Sequence, residues 1–254
     1  MAEYKLVKVS RSPGVLRIAI DHPPVNVLNM ATMTEISQAL ASADQSVKVV
    51  VLSGQGRCFS AGVDVSEHVR ANIDKMLPAF HAMFRKMAAM PQITVASVHG
   101  STLGGACELA IFCDLVVAAE SAKFGQPEVK LASFPPLSII LLPRIIGRKK
   151  ALELLLTGDT IDAREAERLG LVNRVVPDDQ LETATNALVS KLSAYSGPVL
   201  ALTKKALRQA VDTDFGPVLD KVEAIYIKEL AQLHDSEEGL RSFMEKRPPV
   251  WQER

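Results

Sequence analysis

The chain has 254 residues, enough for one large domain or a domain with an appendage. Its 29 basic and 29 acidic residues balance to a formal charge of 0, which leaves no basic field for nucleic acid and no acidic tail. Hydrophobic residues make up 48%, ordinary for a globular protein, and the most apolar stretch, Phe134 to Leu142, falls far short of a bilayer span. Cys58, Cys107 and Cys113 show no CxxC spacing and no even framework, as expected of small buried hydrophobes in a reducing compartment. The opening Met-Ala-Glu-Tyr-Lys carries neither a basic n-region with an apolar stretch nor an Arg/Ser-rich transit composition. The expectation is a cytoplasmic protein that binds neither nucleic acid nor membrane.

In chain order, Tyr4 to Ser10 and Val15 to Ile20 read as two strands joined by a Ser-Pro-Gly turn. Asn29 or Thr32 caps a helix running to about Ala43, with Met33, Ile36 and Leu40 on one stripe. The apolar run Val47 to Leu52 reads as a strand buried on both faces. A helix over Asn72 to Met90, kinked or restarted at Pro78, precedes a strand at Ile93 to Val98. A short helix over Gly104 to Phe112 and a strand at Asp114 to Ala119 follow. This alternation predicts an α/β layer architecture. Past Pro143, Leu152 to Leu156 and Ala163 to Leu169 read as helical and Leu171 to Val176 as a short strand. From Asp179 the pattern is helical, broken at Gly197-Pro198, Asp214 to Pro217 and Asp235-Ser236. The expected division is a mixed core over residues 1–195 and a helical region over 196–254.

Two segments carry the chemistry, Leu103-Gly-Gly-Ala-Cys-Glu-Leu-Ala110 and Phe124-Gly-Gln-Pro-Glu128. A helix that starts near Gly104 presents unpaired N–H groups and a partial positive charge of about +0.5. Glycine there lets a ligand oxygen approach the backbone. Glu108 follows Gly105 by three residues, so both share one helix face. Its neighbours are apolar all round, and a glutamate on a buried helix is costly unless paired, protonated or used. Glu128 is the natural second carboxylate, since two acids sharing a dry site have their pKa values pushed apart. The stretch Arg57 to Asp64 offers a second backbone amide. Each feature also has an ordinary reading: a glycine-padded helix, a solvated loop glutamate, a plain strand-to-helix turn. The chain has no dinucleotide or phosphate-loop fingerprint, no GxSxG, no HExxH and no metal-ligand spacing among its five histidines. His81 falls on a predicted helix, either structural or bordering the pocket.

Together these segments resemble the crotonase, or enoyl-CoA hydratase/isomerase, superfamily over nearly the whole chain. Pro24 to Asn29, Phe59-Ser-Ala-Gly-Val-Asp64, Leu103 to Ala110, Phe124 to Glu128, Leu156-Thr-Gly-Asp159, Gly170-Leu-Val172 and Phe243-Met-Glu-Lys-Arg247 stand in the family's order. The resemblance implies a spiral of ββα repeats, a helical C-terminal trimerisation region, and a homotrimer or homohexamer. It implies an acyl-CoA substrate with no cofactor besides the coenzyme A that the substrate carries, and no metal. The thioester oxygen would be held by the amides of Val63 and Gly105. Coenzyme A would run along Ala61, Val63, Asp64, Val65, Ser66, Gly105 and the Asn26 loop, with Phe243 and Lys246 reaching it at a subunit boundary. Hydratases of the family are similar to this chain in keeping both glutamates, so Glu108 and Glu128 are its implied catalytic pair and hydration of an enoyl-CoA its implied reaction. An isomerase of the same superfamily is the alternative, and an RNA-binding member the more distant one.

One departure stands out. Where ordinary hydratases of the family carry a glycine-rich stretch after the second glutamate, this chain reads Ser133-Phe-Pro-Pro-Leu-Ser-Ile139. Prolines fix φ and suit a helix start, and Leu and Ile add bulk. The expected acyl pocket is stiffer, and the variant resembles hydratases of cyclic dienoyl-CoA esters in aromatic degradation.

Overall fold

The β-rich runs of the first half become one twisted sheet whose middle is apolar on both faces. In the computed structural model, which describes residues 4–211 and 215–250, its strands are β1 (Val7–Ser12), β2 (Val15–Ile20), β3 (Val49–Gly54), β4 (Ile93–Val98), β6 (Leu115–Ala119) and β9 (Arg174–Val176). They lie in the order β1-β2-β3-β4-β6-β9, antiparallel only between β1 and β2. Every residue of β4 is buried, as parallel strands covered on both faces require.

A second, smaller sheet holds β5 (Ser101–Leu103), β7 (Lys123–Gly125) and β8 (Thr160–Asp162). Isolated bridges from Leu28 to Val63 and from Ser60 to Thr102 bring two more chain segments beside it. Each turn of the spiral therefore places a longer strand in the large sheet and a short one in the small sheet. The turn β4, β5, α3 (Gly105–Phe112) is the clearest example.

The remaining helices are α1 (Met30–Ala41), α2 (Ile73–Ala89), α4 (Pro136–Ile145), α5 (Arg148–Thr157), α6 (Ala163–Leu169), α7 (Leu181–Ser193), α8 (Gly197–Val211), α9 (Phe215–Lys228) and α10 (His234–Met244). No described helix is long and apolar enough to cross a membrane. Asn29 supplies the cap of α1: its Oδ1 accepts from the Thr32 amide at 2.8 Å. Pro78 lies one turn and a half into α2, which continues through it.

Several boundaries differ from the sequence expectations. β1 begins at Val7 rather than Tyr4, and β3 starts and ends two residues later than expected. Lys48 already turns, its amide donating to Gly14 O, while Ser53 and Gly54 still pair with the end of β2. Gly54 has to be glycine: a Cβ there would lie 2.4 Å from the carbonyls of Cys58 and Phe59. The expected helix at Leu152 to Leu156 is the second half of α5, and the apolar run at Phe134 to Leu142 becomes α4. α7 ends at Ser193 and α8 begins at Gly197. Of the expected break at Asp214 to Pro217, Asp214 lies outside the described residues and Phe215 already opens α9. The break expected at Asp235-Ser236 lies slightly earlier, because α10 starts at His234.

The C-terminal helices fold back on the core. α9 packs on α2 and α4, and α10 lies against two single turns, Val65–Glu67 and Pro127–Leu131. Buried His81 on α2 takes part in this docking, its Nδ1 meeting Glu223 on α9 at 2.5 Å. Burial lowers the His81 pKa, opposed by the Glu223 carboxylate. His81 does not line the cavity described next.

Candidate active site

Hydrogen bonds between loops set the site. The Ser60 amide donates to Ser101 O and the Leu103 amide to Ser60 O, so the segment after β3 runs beside β5. Gly62, at φ +108°, fits there because a Cβ would sit 2.7 Å from Leu103 O. This brings Val63 against the start of α3: a Cβ on Gly105 would lie 2.5 Å from Val63 Cγ2. Gly105 is the first residue of α3, where an amide has no partner within the helix. Neither its N–H nor that of Val63 donates to a backbone carbonyl among the described residues.

The same helix start holds the carboxylates. Glu108, in the first turn of α3, is 1% exposed. Its Oε1 accepts from the Ser138 amide at 2.8 Å, in the first turn of α4. Glu128 stands in the turn after β7. The Gly104 amide donates to Gly125 O at 2.9 Å, which fastens that strand to the head of α3. Gly104 is at φ +54°, and a Cβ on it would lie 2.6 Å from Glu128 Oε1. The Glu128 Oε2 is buried and finds no hydrogen-bond partner among the described residues.

Burial raises the pKa of both acids, and for Glu128 the nearby Glu108 charge raises it further. The Ser138 and Leu137 amides oppose the rise at Glu108. Burial, then the two carboxylates, also pushes up the Cys107 thiol, which makes it a poor nucleophile.

A cavity joins these parts. Of the expected site residues, Ala61, Val63, Val65, Gly105, Glu108 and Glu128 line it. Three expected residues do not. Asp64 caps the turn Val65–Glu67, its Oδ1 accepting from the Ser66 amide and hydroxyl, and neither Asp64 nor Ser66 faces the cavity. Asn26 is not among its lining residues. It is 3% exposed, its Oδ1 accepts from the His22 amide, and its Nδ2 donates to Gln55 O and Cys58 O, each at 2.8 Å. Its side chain holds two loops together. Phe243 and Lys246 are exposed and outside the cavity.

Phe134 to Pro136 form one wall of the cavity; Phe80 of α2, Tyr226 of α9 and Leu240 of α10, which the sequence reading missed, form the others. Phe134 meets Tyr226 edge-on with ring centroids 4.9 Å apart, and the Tyr226 hydroxyl shares a hydrogen bond with Ser133 Oγ. No local pattern marks a residue that reaches a site from nearly a hundred positions away. The unusual Ser133 to Ile139 stretch was the one visible sign.

A model of the family described as enoyl-CoA hydratase/isomerase matches residues 10–254. The chain belongs to the enoyl-CoA hydratase/isomerase family. It is 37% identical to a probable enoyl-CoA hydratase of Mycobacterium bovis, covering 99% of each chain. It is 34% identical to the cyclohexa-1,5-dienecarbonyl-CoA hydratase of Thauera aromatica, over 98% of this chain and 96% of that one. A crystal structure of an enoyl-CoA hydratase from Mycobacterium avium subsp. paratuberculosis superposes with a TM-score of 0.89 at 30% identity, covering 99% of this chain and all of that one. The enoyl-CoA hydratase/isomerase fold accounts for the paired sheets.

Proposed function

We propose that the protein is an enoyl-CoA hydratase, a lyase that adds water across the α,β-double bond of an acyl-CoA thioester. The observation that carries this reading is the meeting of two raised-pKa carboxyls and two uncommitted backbone amides on one cavity. The Val63 and Gly105 N–H groups hold the thioester oxygen, and the dipole of α3 adds to them. Such donors contribute about 3 kcal/mol each when negative charge develops on that oxygen.

The proton roles follow from the surroundings. Glu108 receives hydrogen bonds that favour its ionised form, so it is the base. Glu128 has only its own backbone amide for this and faces the Glu108 charge, so it keeps its proton and is the acid. Glu108 takes a proton from water as the water oxygen bonds to the β-carbon. The double-bond electrons move onto the thioester as an enolate, and Glu128 delivers its proton to the α-carbon. Net transfer of a proton from Glu108 back to Glu128 completes the turnover. Coenzyme A enters only as part of the substrate, and no other cofactor is needed.

A ring-bearing dienoyl thioester is a second reading of the acyl group. The stiff Pro135-Pro136 entry to α4, the flat walls of Phe80, Phe134 and Tyr226, and the Thauera relative favour it. Incubation with crotonyl-CoA, longer linear enoyl-CoA esters and a cyclic dienoyl-CoA, read by mass spectrometry, tests both. Hydration adds the mass of one water, isomerisation conserves mass, and thioester hydrolysis releases free coenzyme A. Products of the last two kinds alone overturn the hydratase reading, and turnover of linear esters with none of the cyclic ester removes the ring.

The assembly we propose is a homotrimer or a dimer of trimers. Exposed Val199, Leu202 and Leu207 on α8 support it, since a helix leaving several large apolar groups in water is ready for a partner. Light scattering on the purified protein reads the assembly, and a monomer at micromolar concentration overturns it.

A further inference from the structure

The Glu128 carboxyl has few contacts of its own to hold it. Its Oε2 is buried with no hydrogen-bond partner among the described residues, and the donor that reaches the carboxyl is its own backbone amide. The path of the turn Pro127–Leu131 therefore sets where the carboxyl lies. That turn is fixed at both ends. Before it, Gly125 O accepts the Gly104 amide at the head of α3. After it, Ala132 reverses the chain at φ +53°, and the Ser133 amide donates back to Glu128 O at 3.0 Å. The Ser133 hydroxyl is tied in turn to α9, 2.5 Å from the Tyr226 hydroxyl and 93 positions away in sequence. Tyr226 is 4% exposed, and its ring sits edge-on against Phe134. α10 presses on the same turn: buried Gly239 lies so close that a Cβ on it would stand 2.5 Å from Leu131 O.

We propose that Tyr226 is a positioning residue for the reaction: through Ser133, its hydroxyl holds the Glu128 turn against the head of α3, and Gly239 lets α10 brace the same turn. The inference rests on the hydratase reading, in which Glu128 is the acid. A proton delivered to the α-carbon needs its donor within hydrogen-bond reach, and a misplacement of about 1 Å can cost 10²-fold in rate. A carboxyl with partners of its own would keep that place unaided. This one has an oxygen left bare, and takes its place from α9 and α10. The Tyr226 phenol itself keeps its proton, since burial and the charges of Glu128 and Glu108 all raise its pKa. Glu108 and Cys107 on α3, Tyr226 on α9 and His68 on the cavity wall are the titratable groups around Glu128, and Tyr226→Phe changes the charge of none of them at neutral pH. The same holding keeps Glu128 dry and near Glu108, the two conditions that raise its pKa. Loosening the turn admits water, and the pKa falls toward the ordinary carboxyl value.

The test compares Tyr226→Phe, Ser133→Ala and their double variant with the wild type on crotonyl-CoA. Phenylalanine keeps the ring and its contact with Phe134 and removes the hydroxyl alone. In each single variant kcat falls about tenfold, within the range that a misplaced group costs. KM stays near the wild-type value, because the amides of Val63 and Gly105 are untouched. The alkaline limb of the pH profile moves to lower pH, which neither a smaller folded fraction nor a changed acyl contact produces. The double variant is no worse than either single one, as two groups acting through one bond require. Gly239→Ala, outside the cavity, moves the limb the same way. Infrared spectroscopy of the protonated carboxyl, assigned by its loss in Glu128→Gln, reads the same titration without substrate. A kcat and an alkaline limb at wild-type values in Tyr226→Phe overturn the inference. So does a rise in KM with the limb in place, or a double variant in which the two effects multiply. A limb that Gly239→Ala leaves in place overturns the part given to α10. If no ester is hydrated while the infrared titration shifts in Tyr226→Phe, the hydratase reading fails and the positioning stands.

Discussion

The Ser138 amide donates to the Glu108 carboxylate at 2.8 Å, across thirty positions of sequence. That bond places the first turn of α4 over the catalytic candidate on α3. Pro135 and Pro136 hold the chain at the entry to α4, and the amides just beyond them point at Glu108. A stretch that looks like a substrate wall in sequence thus also tunes a carboxylate.

Both acids are assigned proton transfer, so an isosteric amide at either position removes the chemistry and keeps the shape. Glu108→Gln and Glu128→Gln should each lower kcat by about 10²-fold or more, the usual scale for a general acid or base. KM for the CoA ester should move far less, because the amides of Val63 and Gly105 are untouched. Steady-state kinetics on crotonyl-CoA reads both. Near-normal turnover in both variants would remove the mechanism.

The active form has Glu108 ionised and Glu128 protonated. Activity should therefore fall on the acid side as Glu108 gains a proton and on the alkaline side as Glu128 loses one. Both pKa values are raised, so both limbs should lie above the ordinary carboxyl value near 4.5. The limbs belong to the pair as a whole, since each charge is felt by the other. A pH profile of kcat/KM on a non-ionising acyl group checks this, and an acid limb at 4.5 or below contradicts it.

Stability should run against function at the same residues. Each acid holds its proton more tightly folded than unfolded. Between the unfolded value and the raised folded value the native state binds more protons, so stability falls as pH rises through that window. An amide does not ionise. Glu108→Gln and Glu128→Gln should accordingly raise Tm near pH 9 and change it little near pH 4. With folded values of about 7 and about 8 against 4.5, the gain should be on the order of 3–5 kcal/mol. Scanning calorimetry at the two pH values decides it, and equal shifts at both argue for a packing cause instead.

Much of this was open to sequence reading because the parts that meet at the site are locally encoded. The Gly104-Gly105 start of α3, the apolar surroundings of Glu108 and the buried run of β3 each follow from a few neighbouring residues. The small sheet was not visible, since β5, β7 and β8 have three residues each, too few to show an alternation. Asn26 was read from its loop as a ligand residue; its φ of +56° and its bonds to His22, Gln55 and Cys58 give its side chain the part of a clamp, which the sequence did not show. The Tyr226 and Leu240 walls depend on how α9 and α10 dock, which is tertiary packing with no local signal.

Gly104 is where backbone and carboxylate compete for one space. Its φ of +54° suits glycine, and a Cβ would lie 2.6 Å from Glu128 Oε1. Gly104→Ala should cost roughly 1–3 kcal/mol in backbone strain. It should also displace the Glu128 carboxyl and lower kcat by more than tenfold in the protein that remains folded. Urea titration and kinetics separate the two effects. A folded Gly104→Ala variant with full activity would show that Glu128 is not held against that turn.

Asn26 distinguishes a clamp from a ligand. Its amide bonds to Gln55 O and Cys58 O, and its Oδ1 receives the His22 amide, all within buried loop structure. Asn26→Ala removes these bonds and leaves a non-glycine residue at positive φ without the side chain that tolerates it. Buried groups left unpaired cost about 1–3 kcal/mol each, so a loss of roughly 3 kcal/mol or more is expected. The loop that Asn26 secures carries Val25, whose carbonyl accepts the Ala61 amide at 2.9 Å. Damage should therefore reach the cavity only through loosening of the Ala61 to Val63 segment. The expected pattern is a lowered Tm and a lower fraction of active protein, with KM for the CoA ester close to wild type in what stays folded. A large rise in KM at unchanged stability would return Asn26 to the ligand side of the site.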